Sequence, residues 1–370
     1  MDFNYMQPVK IIFGNGRLNE LSALTKQFKG EGLLICDKFF YDNGLAKQIL
    51  DNTPTINTLY YDVSPNPDTS EVDACSQLIR NNDLKFIVAL GGGSVIDCAK
   101  VASTLALTND SVTKYHGTGK ELPSLHLPLI AIPTTAGTGS EVTCAAVLTN
   151  RELMKKAPIN SDNFYPLYAI IDPELTYNIP KQITANTGMD VLCHALEGFW
   201  SKGHQPICDI FALKACKLVF DNLLEVYHNP DNKEARSNMC EASLLAGMAF
   251  SIPKTTSSHA CSFPLTNIYG IPHGEACALT IDYFALINKD AKDKRLVSFV
   301  KELGFKDVEE MAIKIKEMKK EMKMRIDLKD LNISKDQLSD LISLSRHPNL
   351  YNNPVEITDT MLKDMYQSMI

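Results

Sequence analysis

No uninterrupted apolar run of about 18 residues occurs in the chain, so no segment reads as a membrane-spanning helix. Positive charge is in the minority, with 37 Lys plus Arg against 44 Asp plus Glu and a net charge of −7. That balance offers no general attraction to nucleic acid or to an anionic bilayer, so an anionic ligand must be held by a few local groups. The opening MDFNYMQPVK carries acid and polar residues at once and lacks the pattern of a cleaved leader, so a cytoplasmic protein is expected. The ten cysteines include no CxxC pair and are scattered over 370 residues, with Cys98 and Cys193 inside helix-like segments. Reduced, mostly buried thiols are expected rather than a disulfide framework. Internal repeats and low-complexity tracts are also missing.

What is present is an alternation of short apolar runs with helical periodicity in the first half. GLLICD (32–37), TLYYDV (58–63), FIVALGGG (86–93) and LPLIAIPTT (127–135) read as strands of parallel βα units. An open, doubly wound sheet follows, with ligands at the carboxyl ends of its strands. After IDPELTYNIP (171–180) the pattern is almost wholly helical. The expected organisation is an α/β domain over residues 1–179 and an all-α domain over 180–370. The Lys-, Glu- and Met-rich stretch 286–341 reads as solvated amphipathic helix.

Three features in the first half suit a nucleotide. GGGS at 91–94 lies between a strand and a helix, where bare backbone can approach a phosphate, although it is neither GxGxxG nor a P-loop. The same glycines also suit a plain tight turn. The turn PTTAGTGSEVT (133–143) is dense in hydroxyls fit for phosphate or ribose, or for local caps. Asp37 ends a strand, where a carboxylate can accept from a ribose diol and repel a 2′-phosphate, favouring NAD(H) over NADP(H), or can simply cap a helix.

The second half carries the metal chemistry. In GMDVLCHALEGFWS, Asp190 and His194 stand one helical turn apart on one face, where they can converge on a cation or merely pair with each other. His259 and His273 follow in SSHACSFPLTNIYGIPHGEACALT. Three imidazoles and one carboxylate suit a divalent transition metal, Fe²⁺ or Zn²⁺.

Taken in order, SPNP (64–67), GGGSVIDCAK (91–100), PTTAGTGSEVT (133–143), GMDVLCHALEGFWS (188–201) and PHGEACALT (272–280) resemble the motifs of iron-containing (group III) alcohol dehydrogenases. The resemblance implies a Rossmann-like N-terminal domain plus an all-helical C-terminal domain, the dehydroquinate synthase-like arrangement, with the active site in the cleft. It implies Asp190, His194, His259 and His273 as metal ligands, with Fe²⁺ favoured and Zn²⁺ an alternative. It also implies Asp37, Asn66, Gly92, Gly93, Ser94, Thr134, Thr135, Thr138 and Lys156 as the lining of a nicotinamide cofactor, a small aldehyde or alcohol as substrate, and a homodimer.

One position departs from the family pattern: a second histidine often follows the third ligand by four residues, and Phe263 stands there. The usual proton-relay group is therefore missing, and its replacement is not evident from the residues. The stretch around His259 and His273 further resembles phosphonoacetaldehyde reductases, which form 2-hydroxyethylphosphonate. A phosphonate dianion requires nearby cations or donors. Lys254 and Thr255, close before His259, and Arg346 in SRHPNLYNNP are the expected groups, although exposed Lys and Arg often only solubilise a surface. The competing expectations are a short-chain aldehyde or diol dehydrogenase, a dehydroquinate synthase-like lyase or cyclase, and a nucleotide-binding sensor without catalysis.

Overall fold

The computed structural model describes residues 2–153 and 155–370. The chain forms two compact units. One comprises Met6–Thr135 and Gly139–Tyr177, and the other comprises the N-terminal stretch up to Tyr5, Ala136–Thr138 and Asn178–Ile370.

The first unit is built on strands β1 (Lys10–Phe13), β2 (Gly32–Cys36), β3 (Ile56–Tyr60), β4 (Phe86–Gly91), β5 (Leu129–Pro133), β6 (Ala145–Asn150), β7 (Lys155–Asn160) and β8 (Tyr168–Ile171). Six of them form one sheet in the order β1-β8-β5-β4-β2-β3, every pairing parallel. Strands β2, β4 and β5 are buried at every residue, as expected of a sheet covered on both faces. Alternate side chains serve opposite cores. Leu33, Ile35, Ile87 and Ala89 pack with α4 (Thr69–Asn81) and α5 (Gly93–Leu105), whereas Leu34, Cys36, Val88 and Leu90 join the core that includes residues of α1 (Leu21–Thr25), α2 (Lys38–Asp42) and α3 (Leu45–Asn52). The strand order reverses at β2, which has β3 on one side and β4 on the other.

The sequence pattern differs from the structure at several strands. β3 begins two residues before the expected run and ends at Tyr60, so Tyr61–Val63 lies beyond the sheet. β1 and β8 are only four residues long, too short to show periodicity, and β6 and β7 form a separate antiparallel hairpin whose residues alternate between buried and half-exposed.

The second unit is helical: α6 (Lys181–Trp200), α7 (Pro206–His228), α8 (Lys233–Ser251), α9 (Ser257–Tyr269), α10 (His273–Asn288), α11 (Arg295–Glu302), α12 (Val308–Glu321), α13 (Lys335–Leu344), α14 (Pro348–Tyr351) and α15 (Asp359–Met369). Fifteen residues of α6 are buried, because α7, α8, α9 and α10 all pack against it. Such a helix is apolar on every side except where its polar groups have partners. The charged stretch within 286–341 is not wholly a solvated face. On α12, Val308, Met311, Ala312, Ile315 and Met318 are buried, and Lys319 is buried with them. Its ammonium donates to Asp282 Oδ1 at 2.6 Å and to the carbonyl of Ala278 at 2.9 Å. No described helix is long and apolar enough to cross a membrane. None of the ten cysteines is in a disulfide, and nine of them are buried.

Candidate functional site

Asp190, His194 and Glu197 occupy one stripe of α6, at spacings of four and three residues. All three are buried, at 3%, 5% and 0% exposure. His259 comes from the first turn of α9, and His273 is the first residue of α10. Asp190 Oδ2 lies 3.8 Å from His194 Nδ1, and Asp190 Oδ1 lies 3.7 Å from His259 Nε2. Both separations exceed a hydrogen bond, while remaining short enough for the atoms to share one small cation. His259 stands between the other two imidazoles, with ring centroids 4.5 Å from His194 and 5.4 Å from His273. One donor atom each from Asp190, His259, His273 and Cys277 lie within 4.8 Å of one another.

His194 is held beside this group by stacking on Phe250, with centroids 4.1 Å apart. Burial, then the neighbouring His259, depresses its pKa well below the imidazole range, so it is a neutral nitrogen donor. Its Nδ1 is buried and makes no hydrogen bond. A buried polar atom left in that state, aimed at a carboxylate beyond bonding distance, fits a divalent ion. The donor set suits a mixed nitrogen and oxygen metal centre.

Two further groups shape the centre. Glu197 Oε2 accepts a hydrogen bond from His259 Nδ1, and its Oε1 accepts from Ser258 N at 2.6 Å and from Thr256 Oγ1 at 2.9 Å. Cys277 lies one turn along α10 from His273, its Sγ 3.8 Å from His273 Nε2. Burial raises the Cys277 thiol well above its usual value, and the Asp190 carboxylate raises it further. Phe263, one turn after His259, packs its ring on His347, with centroids 4.4 Å apart. Burial lowers the pKa of His347, and its Nδ1 accepts from the backbone N–H of Asn349.

In the α/β unit, Asp37 follows β2 and Gly91–Gly93 end β4 and open α5, at the point where the strand order reverses. Asp37 Oδ2 accepts from Gly92 N at 3.2 Å and caps no helix with its side chain. Burial raises the Asp37 pKa, opposed by that bond from Gly92. Gly91 has to lack a side chain, because a Cβ there would meet Asp37 Oδ2 at 2.6 Å and Val95 at a similar distance. Asn66, at φ +56°, donates from its backbone to Ser94 Oγ at 3.1 Å and accepts from Lys156 Nζ at 2.7 Å. Thr134 donates from its backbone to Gly91 O, and the Thr135 hydroxyl borders Gly92. Asp37, Asn66, Gly92, Gly93, Ser94, Thr134, Thr135 and Lys156 are thus gathered around the ends of β2, β4 and β5, whereas Thr138 packs with the helical unit. Part of the hydroxyl-rich turn is spent internally. Ser140 Oγ donates to Asp97 and accepts from the buried Lys100 ammonium, which also donates to Thr143.

The groups expected to meet an anionic substrate have partners within the chain. Lys254 is exposed, at φ +67°, and its ammonium donates to Ser251 O at the end of α8. Thr255 is buried, its hydroxyl accepting from Asn349 Nδ2 at 2.8 Å. Arg346 donates to the Asp359 carboxylate and to Ile357 O.

Residues 8–173 match the model of the iron-containing alcohol dehydrogenase family, and residues 184–370 match the model of the C-terminal part of the Fe-containing alcohol dehydrogenases. The chain belongs to the iron-containing alcohol dehydrogenase family. It is an oxidoreductase acting between an alcohol and an aldehyde. The crystal structure of a sulfoacetaldehyde reductase from Bifidobacterium kashiwanohense, in complex with NAD+, is 58% identical, with a TM-score of 0.97 over 100% of this chain and 99% of that one. Alcohol dehydrogenase 4 of Schizosaccharomyces pombe is 33% identical over 96% of this chain and 86% of its own length. A sulfoacetaldehyde reductase of Bilophila wadsworthia is 33% identical over 80% of this chain and 77% of its own length. For an alcohol dehydrogenase of this type, the sequence motifs name Asp190, His194, His259 and His273, which lie near one another in the structure, but pass over Glu197 and Cys277. The signal for Glu197 was its place on the Asp190–His194 stripe, and for Cys277 its place one turn after His273.

Proposed function

We propose that the chain reduces a short aldehyde carrying a terminal sulfonate, sulfoacetaldehyde, with NADH as the hydride donor and one divalent ion, iron favoured over zinc. The observation that carries this reading is the 58% identity over the whole chain to a sulfoacetaldehyde reductase complexed with NAD+. When bound, the ion supplies Lewis acidity at the carbonyl oxygen and the reduced nicotinamide supplies the hydride.

Asp190, His194, His259 and His273 would hold the ion, with the neutral His194 imidazole and the Asp190 carboxylate giving nitrogen and oxygen donors. Gly92, Gly93 and Ser94 offer the N-terminus of α5 to a pyrophosphate. Asp37 would accept from the adenosine ribose and repel a 2′-phosphate, which favours NADH over NADPH. Asn66, Thr134, Thr135, Thr138 and Lys156 complete the cofactor lining by resemblance. Buried, protonated thiols such as Cys277 are poor nucleophiles, which agrees with a reaction that needs no covalent intermediate.

Phosphonoacetaldehyde is the second reading, resting on the sequence around His259 and His273 and on Lys254, Thr255 and Arg346 as anion-binding groups. The engagement of Lys254 and Arg346 with other acceptors favours the sulfonate, whose single charge demands less compensation than a phosphonate dianion. A homodimer in the cytoplasm completes the proposal. Ten cysteines without a disulfide suit a reducing compartment, and sedimentation of the purified chain tests the dimer.

The experiment is NADH consumption by Fe²⁺-loaded and Zn²⁺-loaded protein with sulfoacetaldehyde, phosphonoacetaldehyde and propanal. The expected order places sulfoacetaldehyde first, with kcat/KM for propanal lower by about tenfold or more. A preference for phosphonoacetaldehyde would replace the sulfonate. Equal turnover of propanal would leave a general short-chain aldehyde reductase.

A further inference from the structure

We propose that Glu197 is a positioning residue of the metal centre: its carboxylate holds His259 as the Nδ1–H tautomer and so leaves the Nε2 lone pair for the ion. The inference rests on reading the Asp190 cluster as a metal centre.

Glu197 is wholly buried on α6, and the structure shows where both of its oxygens go. The Trp200 indole N–H, which can only donate, gives its proton to Thr256 Oγ1 at 2.8 Å. Thr256 therefore donates its own proton onward, to Glu197 Oε1. The same oxygen accepts the backbone N–H of Ser258, and that of His259 at 3.4 Å, so a side chain from α6 satisfies the open N–H groups at the start of α9. Every group facing Oε1 is a donor. The remaining oxygen, Oε2, faces His259 Nδ1. Opposite an acceptor, Nδ1 carries its hydrogen. The other ring nitrogen, Nε2, faces Asp190 Oδ1 at 3.7 Å, inside the donor cluster. A neutral imidazole with hydrogen on Nδ1 binds metal through Nε2, and the carboxylate behind it fixes the ring plane and strengthens the donor.

Glu197 also ties α6 to α9, so a test must separate the tautomer from the tie. Glu197→Gln does so. Its amide oxygen at the Oε1 position keeps the bonds from Thr256 and Ser258. Its NH₂ at the Oε2 position is a donor, which His259 can accept only at an unprotonated Nδ1. The ring proton then moves to Nε2 and blocks the lone pair.

The full chain and E197Q are compared by equilibrium dialysis against Zn²⁺ and, without oxygen, Fe²⁺. Far-ultraviolet circular dichroism follows the fold of each. Long-range ¹⁵N–¹H spectra of ¹⁵N-histidine protein without metal read the tautomer. The expected result is a 10- to 100-fold loss of metal affinity in a folded E197Q. His259 should be Nδ1–H in the wild type and Nε2–H in the variant. Wild-type affinity in E197Q overturns the proposal. So does an Nε2–H His259 in the wild-type spectrum, which decides the matter even if E197Q fails to fold. Neither readout uses an aldehyde. A chain that passes both tests and turns over no aldehyde sinks the proposed function and leaves the role of Glu197 standing.

Discussion

Gly274 lies so close to Asn186 that a Cβ on it would stand 2.1 Å from the Asn186 carbonyl oxygen and 3.1 Å from Asp190 Cβ. The first turn of α10 can approach the middle of α6 only because residue 274 has no side chain. The residue before it is His273, so this bare contact brings the third imidazole to the carboxylate. Gly274→Ala must push backbone against backbone, which costs about 1–3 kcal/mol or more in a packed interior. The expected outcome is a lower melting temperature together with reduced metal content. A variant that melts lower yet binds metal normally would show that His273 does not depend on this approach.

The geometry leaves two four-member donor sets to compare. Asp190, His259 and His273 are common to both, with His194 as the fourth member in one and Cys277 in the other. The buried His194 Nδ1, which makes no hydrogen bond and lies 3.8 Å from Asp190 Oδ2, favours the first set. His194→Ala should lose metal and turnover together, whereas Cys277→Ala should keep both within about twofold, the size of a change that costs less than 0.5 kcal/mol. Metal analysis of the purified variants and NADH consumption decide between them. Retention of metal by His194→Ala would transfer the fourth position to Cys277.

Asp37 carries a prediction on cofactor choice. Its carboxylate sits at the reversal of strand order and is joined to Gly92 N–H, where a 2′-phosphate would meet like charge. Asp37→Asn removes the charge and keeps an acceptor for Gly92. The ratio of kcat/KM for NADPH to that for NADH should rise on the order of tenfold, equivalent to about 1.4 kcal/mol. An unchanged ratio would place the ribose discrimination elsewhere.

The residues themselves explain why part of this was legible. β2, β4 and β5 are buried on both faces, so their sequences are unbroken apolar runs that no solvent-facing residue disguises. Asp190 and His194 stand out because each interrupts the largely apolar stretch 188–200 of α6. Lys319 was hidden for the opposite reason. It falls within a run of exposed lysines, and only Asp282 and two carbonyls on α10, far away in sequence, make its burial tolerable. Lys254 and Arg346 have the charge an anion site needs, but their partners, Ser251 O and Asp359, come from helix ends that periodicity does not place in space. Glu197 carries no such mark, because a glutamate in a helix usually faces water, and its donors lie about sixty residues away at the start of α9.

Glu141 gives the chain a pH dependence of its own. It is 2% exposed in the α/β unit, and burial raises its carboxyl pKa from 4.5 to about 7. Between those values the folded chain still holds a proton that the unfolded chain has released. The stabilisation is therefore complete below pH 4.5 and is lost as the pH rises through 7. A shift of this size corresponds to about 3 kcal/mol. Glu141→Gln mimics the protonated side chain at every pH and removes this loss. In urea titrations the variant should match the wild type near pH 3.5, where the Glu141 side chain is neutral both folded and unfolded, and exceed it above pH 7.5. Because every other group titrates equally in the two proteins, the difference between their midpoints isolates Glu141. Midpoints that run parallel from pH 5 to pH 8 would mean that this carboxyl ionises at its ordinary value, and that a buried group not seen in its hydrogen bonding compensates the charge.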